Sequence, residues 1–308
     1  MQCANKLGIY KFPDLVEYSL GKTYRKVFEV FTVFLSISFT IAPLAFFMRS
    51  LRSVVYVTSG VEVDMWVFLV SALVVFAPLA WIRSIEMFSP GYMIAVAIIF
   101  SMIILVSTID FMEISDRNGE AGPGWEAFNP HGAITMLGLS FYLFDRVGSL
   151  LPIMEASEFK DNFVVLLCCA LATLLTINIY FSELCYYNFG STIKETIVIF
   201  QLPQANIAVI IGNILFCINI ILSYPLVIYP ANLIIEKAVF GKMTYSPLRT
   251  WLKNFSRTLV LLSALVVAYL FYYNLSKILS LTSVVLGSFV VLITPLLVHF
   301  KMPGVSRC

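Results

Sequence analysis

Eight stretches of this chain, 27–48, 65–82, 91–109, 132–154, 162–182, 205–235, 255–273 and 278–300, each hold an apolar run close to the length of a membrane crossing. A helix needs about 20 such residues to cross roughly 30 Å of hydrocarbon. Non-helical backbone survives at that depth only where protein or a wet cavity covers it, so runs of this kind predict helices. The balance of residue types agrees: 60% are hydrophobic, 12% are charged, and the mean hydropathy over 308 residues is +0.91. A soluble globular fold is excluded. The expectation is an all-α polytopic membrane protein of about eight transmembrane helices, forming a single transmembrane domain over residues 1–308.

Eight crossings put both termini on one side, and the placement of basic residues chooses the side, because Lys and Arg in short connections collect in the cytoplasm. With the N-terminus inside, fourteen of the 20 basic residues fall in inner connections and five (Arg49, Arg52, Arg117, Lys194 and Lys277) in outer ones. With Arg257, at the edge of the seventh run, counted in its inner connection, Arg146 alone is left within a span. Both termini are therefore expected to be cytoplasmic. Residues 1–21 lack the apolar core of a cleaved signal, so insertion is expected to begin with the first span. Within them, Phe12, Leu15, Val16 and Leu20 share a helical face between Pro13 and Gly21, which predicts a short amphipathic helix over 10–21 lying in the interface. The sixth run is longer than one crossing needs, and Pro225 and Pro230 predict that it kinks or ends early. Residues 110–130 read as a solvated acidic loop on the outer side.

Several function classes find no residues to carry them. A net charge of +2 gives no reason to invoke nucleic acid. The two histidines, His131 and His299, lie at predicted membrane edges and build no metal cluster. No phosphate-cradling glycine loop, nucleophile elbow or hydrolytic carboxylate pair is present, so the chain reads as no enzyme and requires no cofactor. Cys3, Cys168, Cys169, Cys185, Cys217 and Cys308 are scattered, mostly in or beside apolar runs, and read as packing residues.

The fourth run carries the chemistry. Its core, LSFYLFDRVGSLLPIMEAS over 139–157, sets Asp145 beside Arg146 and follows them with Gly148 and Pro152. A charge at membrane depth costs roughly 2.5–3.5 kcal/mol and normally faces a cavity or a partner. Gly148 loosens the backbone and Pro152 removes a donor, so the helix is expected to break there. Broken helices near the midplane are how many secondary transporters build a substrate site. The alternative is that Asp145 and Arg146 neutralise each other near the aqueous end and snorkel outward.

Four stretches carry a resemblance. YKFPDLVEYSLG (10–21), FYLFDRVGSLLPIME (141–155), YNFGSTIKETIVIFQLPQ (187–204) with SYPLVIYPANLIIE (223–236), and the run from Asn254 through Met302 resemble, in order, motifs of the amino acid/auxin permease family, its vacuolar and proton-coupled members above all. The resemblance implies a leucine-transporter-type bundle of inverted five-helix repeats, a secondary active carrier of amino acids coupled to protons or sodium, in a vacuolar, lysosomal or plasma membrane. The eight runs would match that family's third to tenth helices, so that the bundle is expected to be incomplete, without the first two helices and the last.

By the same resemblance the substrate would rest against Phe144, Asp145, Arg146, Val147 and Gly148, with Ser36 and Phe39 of the first span, beside Ser38, as further lining. Asp145 is then the candidate for binding the coupling ion, or else a counter-charge for Arg146. Arg146, where the family has a small residue, would grip a substrate carboxylate, pair with Asp145 or fill the pocket. A different class of function is a membrane sensor or partner-binding protein derived from such a carrier and no longer transporting. If the Arg146 guanidinium holds a substrate carboxylate, Arg146→Ala lowers substrate affinity far more than it lowers the yield of folded protein; equal losses of both assign it a structural role.

Overall fold

The computed structural model describes residues 7–9, 11–83, 89–127, 154, 162–193 and 197–302. The helices are α1 (Phe12–Leu20), α2 (Lys22–Ser59), α3 (Met65–Trp81), α4 (Ser89–Asp116), α5 (Phe163–Phe189), α6 (Ile207–Phe240), α7 (Pro247–Leu270), α8 (Leu275–Thr282) and α9 (Thr294–Lys301). An eleven-residue π-helical stretch, Ser283–Ile293, joins α8 to α9 in one continuous rod. Six of these segments are long and apolar enough to cross a membrane, and Met65–Trp81 is a shorter apolar helix. They account for seven of the eight predicted crossings. The fourth, 132–154, lies outside the described residues apart from Met154, and with it lies the predicted break at 145–152. No strand occurs among the described residues. The protein is all-α and polytopic.

The chain folds as two compact units. One takes in residues up to Ser36, the described residues between 130 and 176, and those from Ser276 onward; the other is Ile37–Asn129 with Ile177–Leu275. In the first unit α1 forms where its apolar spacing predicts, with Pro13 in its first turn, and buries Phe12, Leu15 and Val16. That face is covered by the chain itself: Phe12 meets Phe28 edge-on at 5.3 Å, and α1 packs on α9. Arg25 fastens α1 to the start of α2. Its guanidinium pairs with Asp14 at 2.8 Å, with Glu17, and with Glu29 at 2.8 Å one turn along. Nearby, the Tyr24 and Thr294 hydroxyls share a hydrogen bond at 3.2 Å, and Phe31 packs on Phe289 at 4.3 Å.

In the second unit, α3 packs on α7, α4 on α6, and α3 on α6. The reason is visible in the residue pattern. On α3 the buried residues Met65, Phe68, Ala72, Phe76 and Ala80 recur every three or four positions, and on α7 Leu261, Ala264, Leu265 and Ala268 share one helical face. Small residues on such a face let helix backbones approach closely, which matters in lipid, where burying apolar surface in itself gives helices little reason to associate. An aromatic seam closes the interior: Phe47 on Phe76 and Phe76 on Tyr224, each at 4.9 Å, with Phe46 on Phe216 at 4.5 Å.

Two expectations about helix ends change. The sixth run does not end early: α6 continues through Pro225 and Pro230 to Phe240, since Pro is tolerated in a membrane helix whose surroundings re-satisfy the freed backbone groups. α7 starts at Pro247, eight residues before the predicted 255: the Ser246 side chain accepts from Arg249 N at 3.2 Å and Pro247 needs no donor in the first turn. Lys253 and Arg257, assigned to an inner connection, are therefore helical. Arg257 is buried, and its Nη1 donates to the carbonyls of Ala80 at 2.9 Å and Ile82 at 2.8 Å. These belong to the C-terminal end of α3, where carbonyls lack intrahelical donors. Its Nε donates to Glu236 at 2.6 Å, and Lys253 meets the other carboxylate oxygen at 2.8 Å. One guanidinium thus joins α3, α6 and α7. Arg257→Met leaves Glu236 with Lys253 alone and both carbonyls without their donor, and should destabilise the protein by about 3 kcal/mol, read as thermal unfolding in detergent. Adding Glu236→Gln should cost less than the sum of the two single losses, since the partners are coupled.

Candidate functional site

Of the residues singled out from the sequence, Phe144, Asp145, Arg146, Val147 and Gly148 lie outside the described residues. Ser36 and Phe39 lie one turn apart on α2. Ser36 is buried and its hydroxyl donates to the Thr32 carbonyl at 2.8 Å, so that bond is used within the helix. Phe39 is half-buried.

Further along α2, in the second unit, polar side chains that sequence reasoning did not select form a connected string. The Ser50 hydroxyl donates to Asn213 Oδ1 on α6 at 3.1 Å, and Asn213 Nδ2 donates to Gln204 Oε1 at 3.2 Å. Ser53 donates to the same Gln204 oxygen at 3.0 Å. Gln204 Nε2 in turn donates to the carbonyls of Ile199 (2.7 Å) and Leu202 (2.9 Å), which pins the short turn Val198–Phe200 and the residues after it against the end of α2. Ser50 and Asn213 are almost wholly buried. Hydroxyl and amide groups in apolar surroundings stay only when bonded to one another, and here each one closes the next. The sequence signal was Ser50 and Ser53 one turn apart beside Arg49 and Arg52, just beyond the first apolar run, too common a pattern to mark a site by itself.

Above this string opens a pocket of about 350 Å³, lined by Arg49, Arg52, Ser53, Tyr56, Glu62, Val63, Met65, Phe200, Gln204 and Tyr272. α2 supplies its basic wall, since positions 49, 52, 53 and 56 share one helical face. Arg49 lies over the Phe200 ring, 4.4 Å from its centroid, a cation–π contact that orients the guanidinium. Two arginines and one glutamate thus line a small space together with Ser53 and Gln204, and the rest of its wall is aromatic and aliphatic. Such a space can hold a small solute that carries an anionic group. Among the described residues no cluster suited to a metal ion occurs.

A second polar cluster corrects the expectation that a solvated loop begins at 110. α4 continues to Asp116 and Asp110 is fully buried. What holds the helix there is Asn188 on α5: its Nδ2 donates to Asp110 Oδ1 and to Glu113 Oε2, each at 2.8 Å, and Arg117 closes the group by donating to the Asn188 backbone carbonyl at 2.7 Å and to its side-chain oxygen. The connection that follows is fitted to this joint. Gly122 N donates to the Tyr187 carbonyl at 2.8 Å, and a Cβ at 122 would come within 2.4 Å of the Asn188 carbonyl oxygen.

Helices of membrane-crossing length with paired polar side chains between them define an integral, multi-pass membrane protein. Residues 1–306 match the family described as transmembrane amino acid transporter protein, and the chain belongs to that family. It is similar to vacuolar amino acid transporter 3 of Saccharomyces cerevisiae, 29% identical over 258 residues covering 80% of this chain and 36% of that protein. It is also similar to vacuolar amino acid transporter 4 of the same yeast, at 24% identity over 98% of this chain and 45% of that protein. Vacuolar amino acid transporter 3 of Schizosaccharomyces pombe is 28% identical over 86% of this chain and 40% of its own length. The chain thus spans less than half the length of these curated relatives. No solved structure matches.

Two substitutions test the geometry. Asn213→Leu removes the middle of the polar string, leaving the buried Ser50 hydroxyl without its acceptor, and should cost about 1–3 kcal/mol of stability, measured by thermal unfolding in detergent. Gly122→Ala should loosen the connection from the end of α5 and raise protease sensitivity at 117–127, whereas Gly91→Ala, whose Cβ would meet only the Leu222 side chain at 3.4 Å, should not.

Proposed function

We propose that this chain acts in the secondary active transport of amino acids across a vacuolar or lysosomal membrane. The family match along residues 1–306 carries the reading, and the polar string and basic pocket within apolar helices support it. Chemistry on a bound substrate has no residues to perform it among those described, whereas passage of a small polar solute needs what the second unit supplies: hydrogen-bonding groups held between helices and an opening charged to receive it.

In this reading the chain alternates between two states that expose one site to either side in turn. The broken stretch of the fourth crossing, with Phe144, Asp145, Arg146, Val147 and Gly148, binds substrate, and Phe39 contributes from the first. A proton or a sodium ion drives accumulation, Asp145 being the group that would bind it. Both termini lie in the cytoplasm, so that the basic pocket at the far end of α2 faces the vacuolar lumen.

Reconstitution tests this directly. Proteoliposomes holding the protein should accumulate a radiolabelled neutral amino acid above its external concentration when a pH or sodium gradient is imposed, and should lose it when the gradient is collapsed. Asp145→Asn should remove the response to the gradient while leaving exchange of internal for external amino acid. Binding without accumulation under either gradient would instead identify a sensor.

A further inference from the structure

The joint between α4 and α5 holds two carboxyls on one donor. Asp110 is fully buried and Glu113, one turn on, is half-buried. Both accept from the same side-chain nitrogen of Asn188, each at 2.8 Å, so their accepting oxygens are no more than twice that distance apart. Carboxylates placed so closely in a buried site repel each other and do not readily both ionise. The nearby guanidinium does not answer them. Arg117 donates through Nη2 to both oxygens of Asn188 and through Nε to the Glu113 carbonyl at 3.3 Å, so these donors go to amides and not to either carboxyl. Among the described residues, the charge that acts on the Asp110 carboxyl is that of Glu113. The other titratable groups of these elements lie elsewhere: Asp116, Glu120, Glu126 and Glu183 are exposed. On α6, which packs along α4, Asn219 meets Ala95 and Gly212 lies against Met102; this places residues 197–213 level with Asp110, and none of them titrates.

Asp110 is also short of donors. A buried carboxylate that stays ionised gathers two or three N–H groups. Here Oδ1 has one, from Asn188, and the buried Cys185 thiol, a weak donor, stands beside the carboxyl. Oδ2 is buried and receives no hydrogen bond from a described residue. One turn back on the same face of α4, the Ser107 hydroxyl is buried and equally without a hydrogen-bond partner among the described residues. Orphaned polar atoms in a packed interior require an explanation. A proton on Oδ2 supplies one: the acid needs no outside donor at that oxygen, no longer repels Glu113, and itself becomes a donor on the side of the helix that carries Ser107. A hard metal ion fits less well, since it takes about six oxygens and only Oδ2 and the Ser107 hydroxyl are free among the described residues of this cluster.

We propose that Asp110 is a proton-binding site: its carboxyl, set against Glu113 on Asn188, holds a proton while α4 and α5 are joined, and release of that proton loosens the joint. Ionised Asp110 would face Glu113 with no added donor, and the shared hold on Asn188 would weaken. The connection after α4 would loosen with it, because Gly122 is bonded to the Tyr187 carbonyl beside Asn188. The site is separate from Asp145 and exists whether or not the chain transports, so it goes beyond the carrier reading.

The test reads the proton first. In the full chain purified in detergent, infrared difference spectra between acidic and alkaline buffer should contain the C=O band of a protonated carboxyl that persists at about pH 6, where an exposed Asp, with an ordinary pKa of about 4, is ionised. Asp110→Asn should remove that band. Asn has the shape of the protonated acid, so this variant should unfold within a few degrees of the wild type at the same pH. The folded chain keeps a proton that the unfolded chain has released above about pH 4, so the wild-type unfolding temperature should fall as pH rises until the folded chain loses it too. Protease cleavage within 117–127 should increase over the same range, and Asp110→Asn should lose most of both dependences. Glu113→Gln removes the neighbouring charge and should move the loss of the band to lower pH by about one unit. Absence of an Asp110-dependent band at about pH 6 overturns the proposal. So does a band unmoved by Glu113→Gln, or a wild-type unfolding temperature that does not fall with pH. Sodium that raises the unfolding temperature of the wild type at constant pH, but not that of Asp110→Asn, would refute it in favour of a metal-cation site. Should Asp110→Asn fail to fold, the wild-type titration and Glu113→Gln decide the matter. None of these measurements involves transport, so the carrier reading stands or falls separately.

Discussion

Hydrocarbon provides no hydrogen-bond partners, and nearly every feature described above answers that one constraint. Backbone amides answer it by forming helices long enough to cross. Several side-chain polar groups in the apolar segments answer it by finding one another across helices. Arg257 reaches Glu236 and two carbonyls of α3, Asn188 reaches Asp110 and Glu113, and Asn213 reaches Ser50 and Gln204. Asn219 donates to the Ala95 carbonyl at 2.6 Å, fixing α6 on α4. Apolar burial gives helices in lipid little reason to choose one neighbour over another, so these bonds carry much of the choice.

Charge at the ends of the helices has a second use. Arg25 gathers three carboxylates and docks α1 on α2, while Arg117 closes the joint between α4 and α5. In both places every charge has a neighbour that explains it. Arg49 and Arg52 line an opening together with Glu62.

The pattern of crossings was legible because it depends on length and apolarity alone, both of which survive without tertiary knowledge. Seven of the eight runs appear as described helices. Helix ends were less legible. Asp110 and Glu113 look like the start of a solvated loop, yet they extend α4 because Asn188, some 75 residues away, supplies donors. Arg257 looks like a topogenic charge, yet it caps another helix. Pro225 and Pro230 look like stops, yet α6 passes through them inside packed protein. In each case the local signal was sound and a distant partner overrode it. The proposed core at 144–148 depends on residues whose surroundings are not described, so it stands on its pattern and its resemblance.

By itself the sequence determined that the chain crosses a bilayer repeatedly as helices, that its basic residues are distributed asymmetrically, and which family motifs it carries, since all of these follow from residue type and spacing along a line. Only the tertiary structure decided which polar groups are partners and which face open space. Hydrogen bonds such as Ser50 to Asn213 join positions far apart in the chain, and no periodicity encodes which of many serines and asparagines will meet. The pocket beside Arg49 and Arg52 exists for the same reason: its walls come from α2, the residues leading into α3, the turn before α6 and the segment after α7, and only packing brings them together.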